Sequence, residues 1–178
     1  NNFISLDVDN MNDGVIVSDI YKFKKDLDNC LKNKNRFVPI ILNLITNDGN
    51  HANILLIDKN TKIIELYEPH GSRTSSSELG GLKGAYVKKI KELKKFFNYL
   101  VRYEVKNIVD YQRGTEFQMK NDPVRHSGFC VTWSILFVHY RILNPDISLN
   151  YLMKYLAKKV TSKKILQYAK FIEETLKK

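Results

Sequence analysis

The sequence predicts an α+β domain. Three strand-like runs cluster early in the chain, helical periodicity fills most of the rest, and one helix is apolar on most faces. The 178 residues, 43% hydrophobic and 27% charged, suit one domain with a core of its own and exclude a mainly disordered chain.

Ser18 reads as the cap of a first helix running to about Lys32, with Asp19 in its first turn. Ile20, Phe23, Leu27 and Leu31 fall at helical spacing on it, and Cys30 beside them reads as a small core residue. Phe37 to Ile45 is a nearly continuous apolar run, Ala52 to Ile57 another, and Lys62 to Tyr67 a third. Asp48-Gly49-Asn50 punctuates the first connection, and Asp58 to Thr61 reads as the turn of a hairpin. Gly71 to Gly84, rich in Ser and Gly, reads as a surface loop. A helix is predicted over Tyr86 to Leu100, with Val87, Ile90, Leu93, Phe97 and Leu100 toward the core. A strand follows over Tyr103 to Tyr111, then a polar, irregular stretch over Gln112 to Gly128. Phe129 to Leu143 is the apolar helix, expected to be central and buried, and Asn144-Pro145-Asp146 stops it. Amphipathic helices over Ser148 to Val160 and Ser162 to Leu176 close the chain.

The formal charge of +10 is concentrated. Lys83 to Lys106 carries +6, Arg141 to Lys178 carries another +6, and the remainder is slightly acidic. Both segments read largely as helices, where lysine most often forms the solvated face, although such a surface can also hold nucleic acid or an acidic protein. Lysine without arginine forks or interleaved aromatics is a weak nucleic-acid signal. Two cysteines make no disulfide framework and point to a reducing, intracellular compartment. No apolar run approaches the roughly 18 residues of a membrane span, and no secretory signal opens the chain. The start at Asn1 rather than at a methionine points to a catalytic domain, residues 1–178, within a longer parent protein.

Two segments carry the candidate chemistry. His51 starts one apolar strand and Glu68 ends the next, 17 positions later. A hairpin would bring them side by side at one sheet edge, where a carboxylate holds an imidazole's tautomer and stabilises the imidazolium. Cys130 opens the most hydrophobic helix, just after Gly128-Phe129. The positive end of a helix favours the thiolate, the nucleophilic form, and the polar stretch ahead of it predicts partial access to the thiol. His126, four residues before Cys130, is a rival base. His139, inside the helix, reads as a core or boundary histidine, and Trp133, one turn after Cys130, reads mainly as core. No Cys-x-x-Cys or His-x-x-x-His spacing and no phosphate-binding Gly loop occurs, so no metal or cofactor is expected.

The order His, Glu, Cys, the 17-residue gap and Tyr67-Glu68-Pro69-His70-Gly71 resemble the adenain and Ulp-type cysteine proteases. That superfamily includes adenovirus-type maturation proteases, proteases for SUMO and other ubiquitin-like modifiers, related large-DNA-virus proteases and bacterial effector deubiquitinases. The resemblance covers about Val38 to Asp146. It implies a small central mixed β-sheet flanked by helices, with the catalytic Cys at the N-terminus of a buried central helix. It implies Cys130, His51 and Glu68 as catalytic residues and a Gln as oxyanion donor. Gln118, 12 residues before Cys130, is the chosen Gln, with Gln112 the alternative. Asn53, His70 and Trp133 are assigned to the substrate groove. Two departures stand out: Ala52 occupies the position after the His where the family usually has Trp, and both Gln residues lie farther from the Cys than the family pattern.

The expected function is a cysteine peptidase or isopeptidase that cleaves after a C-terminal Gly of the Gly-Gly type. Its partner is ubiquitin, a ubiquitin-like modifier or a Gly-Gly-containing precursor. Removal of a modifier is favoured, with viral-type precursor maturation as the alternative and acetyl transfer the least favoured branch. The expected setting is the host cytoplasm, a virus factory or a virion. The reading from another class is a non-enzymatic module that binds nucleic acid through the basic helices.

Overall fold

A computed structural model of the chain describes residues 4–9, 19–46, 49–69, 82–107 and 129–177. Five strands form one sheet in the order β1 (Ile4–Asp9), β2 (Phe37–Thr46), β3 (Gly49–Asp58), β4 (Ile63–Tyr67) and β5 (Glu104–Asn107). The two hairpin pairs β2–β3 and β3–β4 are antiparallel, whereas β1–β2 and β4–β5 are parallel. Each parallel pair is joined by a helix: α1 (Ile20–Lys32) and α2 (Leu82–Val101). The strands entering and leaving the two crossovers run in the same direction and step the same way across the sheet. Right-handed connection therefore puts both helices on the same face.

The core confirms it. Phe23, Leu27 and Cys30 of α1 and Leu93 and Phe97 of α2 form one buried cluster with Leu6, Ile40, Leu55 and Leu66 of the strands. Ladder pairing puts those sheet residues on one face: Leu6 faces Leu42, Ile40 faces Leu55, and Leu55 faces Leu66. Phe23 meets the rings of both Phe96 and Phe97 at centroid distances of 6.1 and 6.3 Å. Pro39 sits in β2 one residue before pairing with β1 begins at Ile40, where β2 is still an edge on that side. These elements make up one compact unit. Glu68 belongs to a second unit, with α3 (Cys130–Leu143), α4 (Leu149–Lys159) and α5 (Ser162–Leu176). Ser148 caps α4 and Thr161 caps α5 through their hydroxyls.

Several expectations change in detail. The cap of α1 is Asp19, which accepts from the Lys22 N–H at 2.9 Å, so Asp19 precedes the helix instead of sitting in its first turn. Ile20, the first helical residue, is exposed, and Cys30 completes the buried face with Phe23 and Leu27. α2 starts at Leu82, four residues earlier than the periodicity implies, so Leu82 to Gly84 are helical and not loop. β1 has no counterpart in the sequence reading, and β5 ends at Asn107 within the described residues. α3 is buried along Cys130, Trp133, Ser134, Phe137 and Arg141 but exposes Val131, Ile142 and Leu143, so it is not buried all round.

The β3–β4 turn is fixed by a buried carboxylate. Asp58 is fully buried, and the Arg36 guanidinium grips both its oxygens at 3.0 and 2.9 Å. The Asn60 N–H donates to it at 3.0 Å, and Lys62 closes the turn at positive φ. Burial pushes the Asp58 carboxyl up, but the bonds from Arg36, Asn60 and Thr61 outweigh it and hold the carboxyl below its ordinary 3.8. A carboxylate depressed in the folded state stabilises the fold above its unfolded pKa, and that stability is lost as pH falls through the folded value. Asp58→Asn should therefore cost about 1.5–3 kcal/mol near neutral pH. In urea titrations the gap to the parent should close below about pH 3; a constant gap across that range would refute the ionic account. Phe97→Ala should cost about 3–5 kcal/mol in the same assay, because it empties the centre of the shared helix–sheet core.

Candidate active site

His51 lies near the start of β3, pairs with Leu44 of β2 and is half-buried. Because β3 runs against the other strands, this is the edge where β1, β2 and β4 have their carboxyl ends. The β3–β4 ladder stops at Ile54 opposite Tyr67. His51 is three residues past that last pair on β3, and Glu68 is one residue past it on the chain leaving β4. The expected side-by-side pairing of His51 and Glu68 within the hairpin is therefore corrected: the register does not set them directly opposite. The reason is the turn over residues 59–62, which leaves β3 longer than β4 at the far end.

Glu68 is buried and Pro69 after it is buried as well. Both follow the all-buried end of β4, Ile64 to Tyr67, so this acidic residue continues an apolar strand without a polar break. Charge placed there needs compensating bonds. Cys130 is the first residue of α3, as the sequence predicts. Phe129 stands at the cap position and supplies no side-chain hydrogen bond, so the helix opens uncapped at the cysteine. The expectation of partial thiol access is corrected: Cys130 is 8% exposed. Ser134, which sequence reasoning passed over, is buried one turn later on the same stripe, and its i, i+4 spacing from Cys130 was the available signal.

Asn53 pairs with Leu42 in mid-sheet and is fully buried, and Trp133 is fully buried in α3. The Trp133 indole N–H has no hydrogen-bond partner among the described residues. Gln118, Gln112, His70 and His126 lie outside the described residues. His139 is an exposed boundary residue whose Nδ1 meets the Tyr168 hydroxyl. Neither cysteine forms a disulfide, and Cys30 is locked in the helix–sheet core. No described helix is long and apolar enough to cross a membrane, and no group of three His, Cys, Asp or Glu among the described residues is placed to hold a metal.

No protein-family model matches the chain. A putative ankyrin repeat protein of Acanthamoeba polyphaga mimivirus is 27% identical over 128 residues, 65% of this chain and 17% of the viral protein. The Chlamydia trachomatis effector protein Cdu1, solved bound to ubiquitin, superposes with a TM-score of 0.47 at 10% identity, covering 86% of this chain and 65% of that one. The Chlamydia trachomatis effector protein ChlaDUB1 gives a TM-score of 0.46 at 11% identity, covering 88% and 59%. The chain thus spans less than two thirds of the length of each of these proteins. TM-scores below 0.5 establish neither a shared fold nor a shared activity.

The two thiols differ in setting: Cys30 sits inside α1 against the sheet, whereas Cys130 is at an uncapped helix start. Iodoacetamide should therefore label Cys130 in the folded protein and Cys30 only on unfolding. Peptide mass mapping reads this directly, and equal labelling of both would remove the distinction.

Proposed function

We propose that the chain is a cysteine peptidase or isopeptidase that cleaves after a C-terminal Gly, removing ubiquitin or a ubiquitin-like modifier. The observation that carries this reading is Cys130 as the first residue of α3, where the helix starts without a side-chain cap and its positive end favours a thiolate. The sequence order His51, Glu68, Cys130 and the Tyr-Glu-Pro-His-Gly segment support it.

In this mechanism the Cys130 thiol gives its proton to His51, and Sγ attacks the carbonyl carbon after the terminal Gly. Glu68 orients the imidazole and stabilises its protonated form. The developing oxyanion is held by the Cys130 backbone N–H and the Gln118 side-chain amide. Collapse expels the amine, which takes the proton from His51. Water, deprotonated by His51, then hydrolyses the thioester and restores the thiol. Asn53, His70 and Trp133 would shape the groove around the glycines. The reaction suits a reducing compartment, where the thiol stays available.

The test is a panel of ubiquitin, SUMO and other Gly-Gly-ended modifiers, each with a C-terminal propargylamide. One modifier should form a covalent adduct at Cys130 in intact mass, absent in Cys130→Ala. Gln118→Ala should slow the reaction by roughly 100- to 1,000-fold. An unchanged rate would move the oxyanion role to Gln112 or to the backbone alone. No adduct from a protein whose Cys130 still alkylates would point to a Gly-Gly-x precursor as substrate. Neither adduct nor alkylation would overturn the enzymatic reading.

A further inference from the structure

The second unit carries a surface that the proposed chemistry does not use. On α4, Tyr151, Lys154, Tyr155 and Lys158 follow the spacing i, i+3, i+4, i+7 and so share one face. All four are exposed, Tyr151 at 61% and Tyr155 at 37%. On α5, Lys164, Tyr168 and Phe171 share a face in the same way, with Phe171 55% exposed. α3 joins the two stripes. The Tyr140 ring lies 5.8 Å from Tyr155, and the two hydroxyls hydrogen-bond. The His139 ring lies 5.6 Å from Tyr168, which in turn stacks on Phe171 at 6.1 Å. Burial, then the nearby Tyr140 hydroxyl, pushes the Tyr168 hydroxyl up to about 12, so it stays protonated in its bond to His139.

The result is a row of aromatic rings across three helices, bordered by cations. Its charge is of one sign: between Asp146 and Glu173 the sequence has six lysines and no acidic residue. Lysine alone marks a solvated face, but lysines alternating with exposed rings fit a different ligand. Phosphates meet the ammonium groups and bases stack on the rings, a combination that acidic peptides cannot use because their side chains have no π-face. Duplexes keep their bases stacked internally, so the rings favour unpaired strands.

We propose that the α4–α5 face binds single-stranded nucleic acid, with Tyr151, Tyr155 and Phe171 stacking bases and Lys154, Lys158 and Lys164 contacting phosphates. The site lies wholly within the second unit and is independent of the proteolytic reading.

Fluorescence anisotropy with a labelled 20-nucleotide single strand tests it, using the full chain and its Cys130→Ala form side by side. Both should bind, more tightly than they bind a duplex of equal length, with a linear log–log salt dependence. Tyr151→Ala with Tyr155→Ala should weaken binding by about 10-fold or more and leave the salt slope unchanged. Lys154→Gln with Lys158→Gln should lower the slope by about 1.4, from roughly 0.7 per phosphate contact. Far-ultraviolet circular dichroism and melting of each variant establish that the helices persist. Poly-glutamate competing as well as the oligonucleotide would assign the face to an acidic protein partner. Equal affinity for single strand and duplex, or no effect of the tyrosine pair in a folded variant, would also overturn the proposal.

Discussion

The ten-pair antiparallel ladder between β2 and β3 is the constraint on which the first unit depends. It runs from Phe37 opposite Asp58 to Thr46 opposite Gly49. Its pairing parity decides which side chains reach the helix-covered face, and both flanking strands take their register from it. At one end it delivers Asp58 to Arg36, whose guanidinium also lies 5.0 Å over the Phe37 ring. Seven residues along β3, about 24 Å at strand rise, it delivers His51 to the opposite edge. The acid-sensitive ion pair and the candidate base are thus at the two ends of a single strand, braced by the same ladder.

Legibility in the sequence followed the range of the interactions involved. Local chemistry was readable: the Asp58 turn, the hydroxyl caps Ser148 and Thr161, and the stop at Asn144-Pro145 all act within a few residues. β1 was not readable, although Ile4, Leu6 and Val8 alternate with polar residues. Six residues with weak periodicity become a strand only because Ile4 finds Ile40 across a helix, and no local pattern encodes that partner. The α1 cap moved by one residue because serine and aspartate are nearly equivalent at that position, and the buried Phe23–Leu27–Cys30 stripe settled the phase.

The candidate residues divide along the same line. The position of Cys130 at a helix start was readable from the switch between a polar stretch and an apolar run. Its burial was not, since that depends on packing far from it in sequence. The offset between His51 and Glu68 relative to the ladder was hidden too, because hairpin register rests on turn length and strand slack. The tyrosine–lysine alternation on α4 was written in the sequence, yet it gained meaning only when Tyr140 and His139 of α3 were seen to link it to α5.

α3 is fastened very differently at its two ends. At its last turn the buried Arg141 guanidinium donates to the carbonyls of Asn144, Pro145 and Ile147 at 3.1, 2.7 and 3.2 Å, and the Asn144 side chain donates back to the Tyr140 carbonyl at 2.9 Å. Those bonds stitch the helix terminus to the segment that follows it, while the start at Cys130 has no side-chain cap. Local opening is easiest where the fewest bonds must break. The helix therefore behaves as a lever hinged at Arg141, with its compliance gathered at the cysteine. A buried thiol in that position comes within a reactant's reach by fraying of one turn, without disturbing the remainder of the helix.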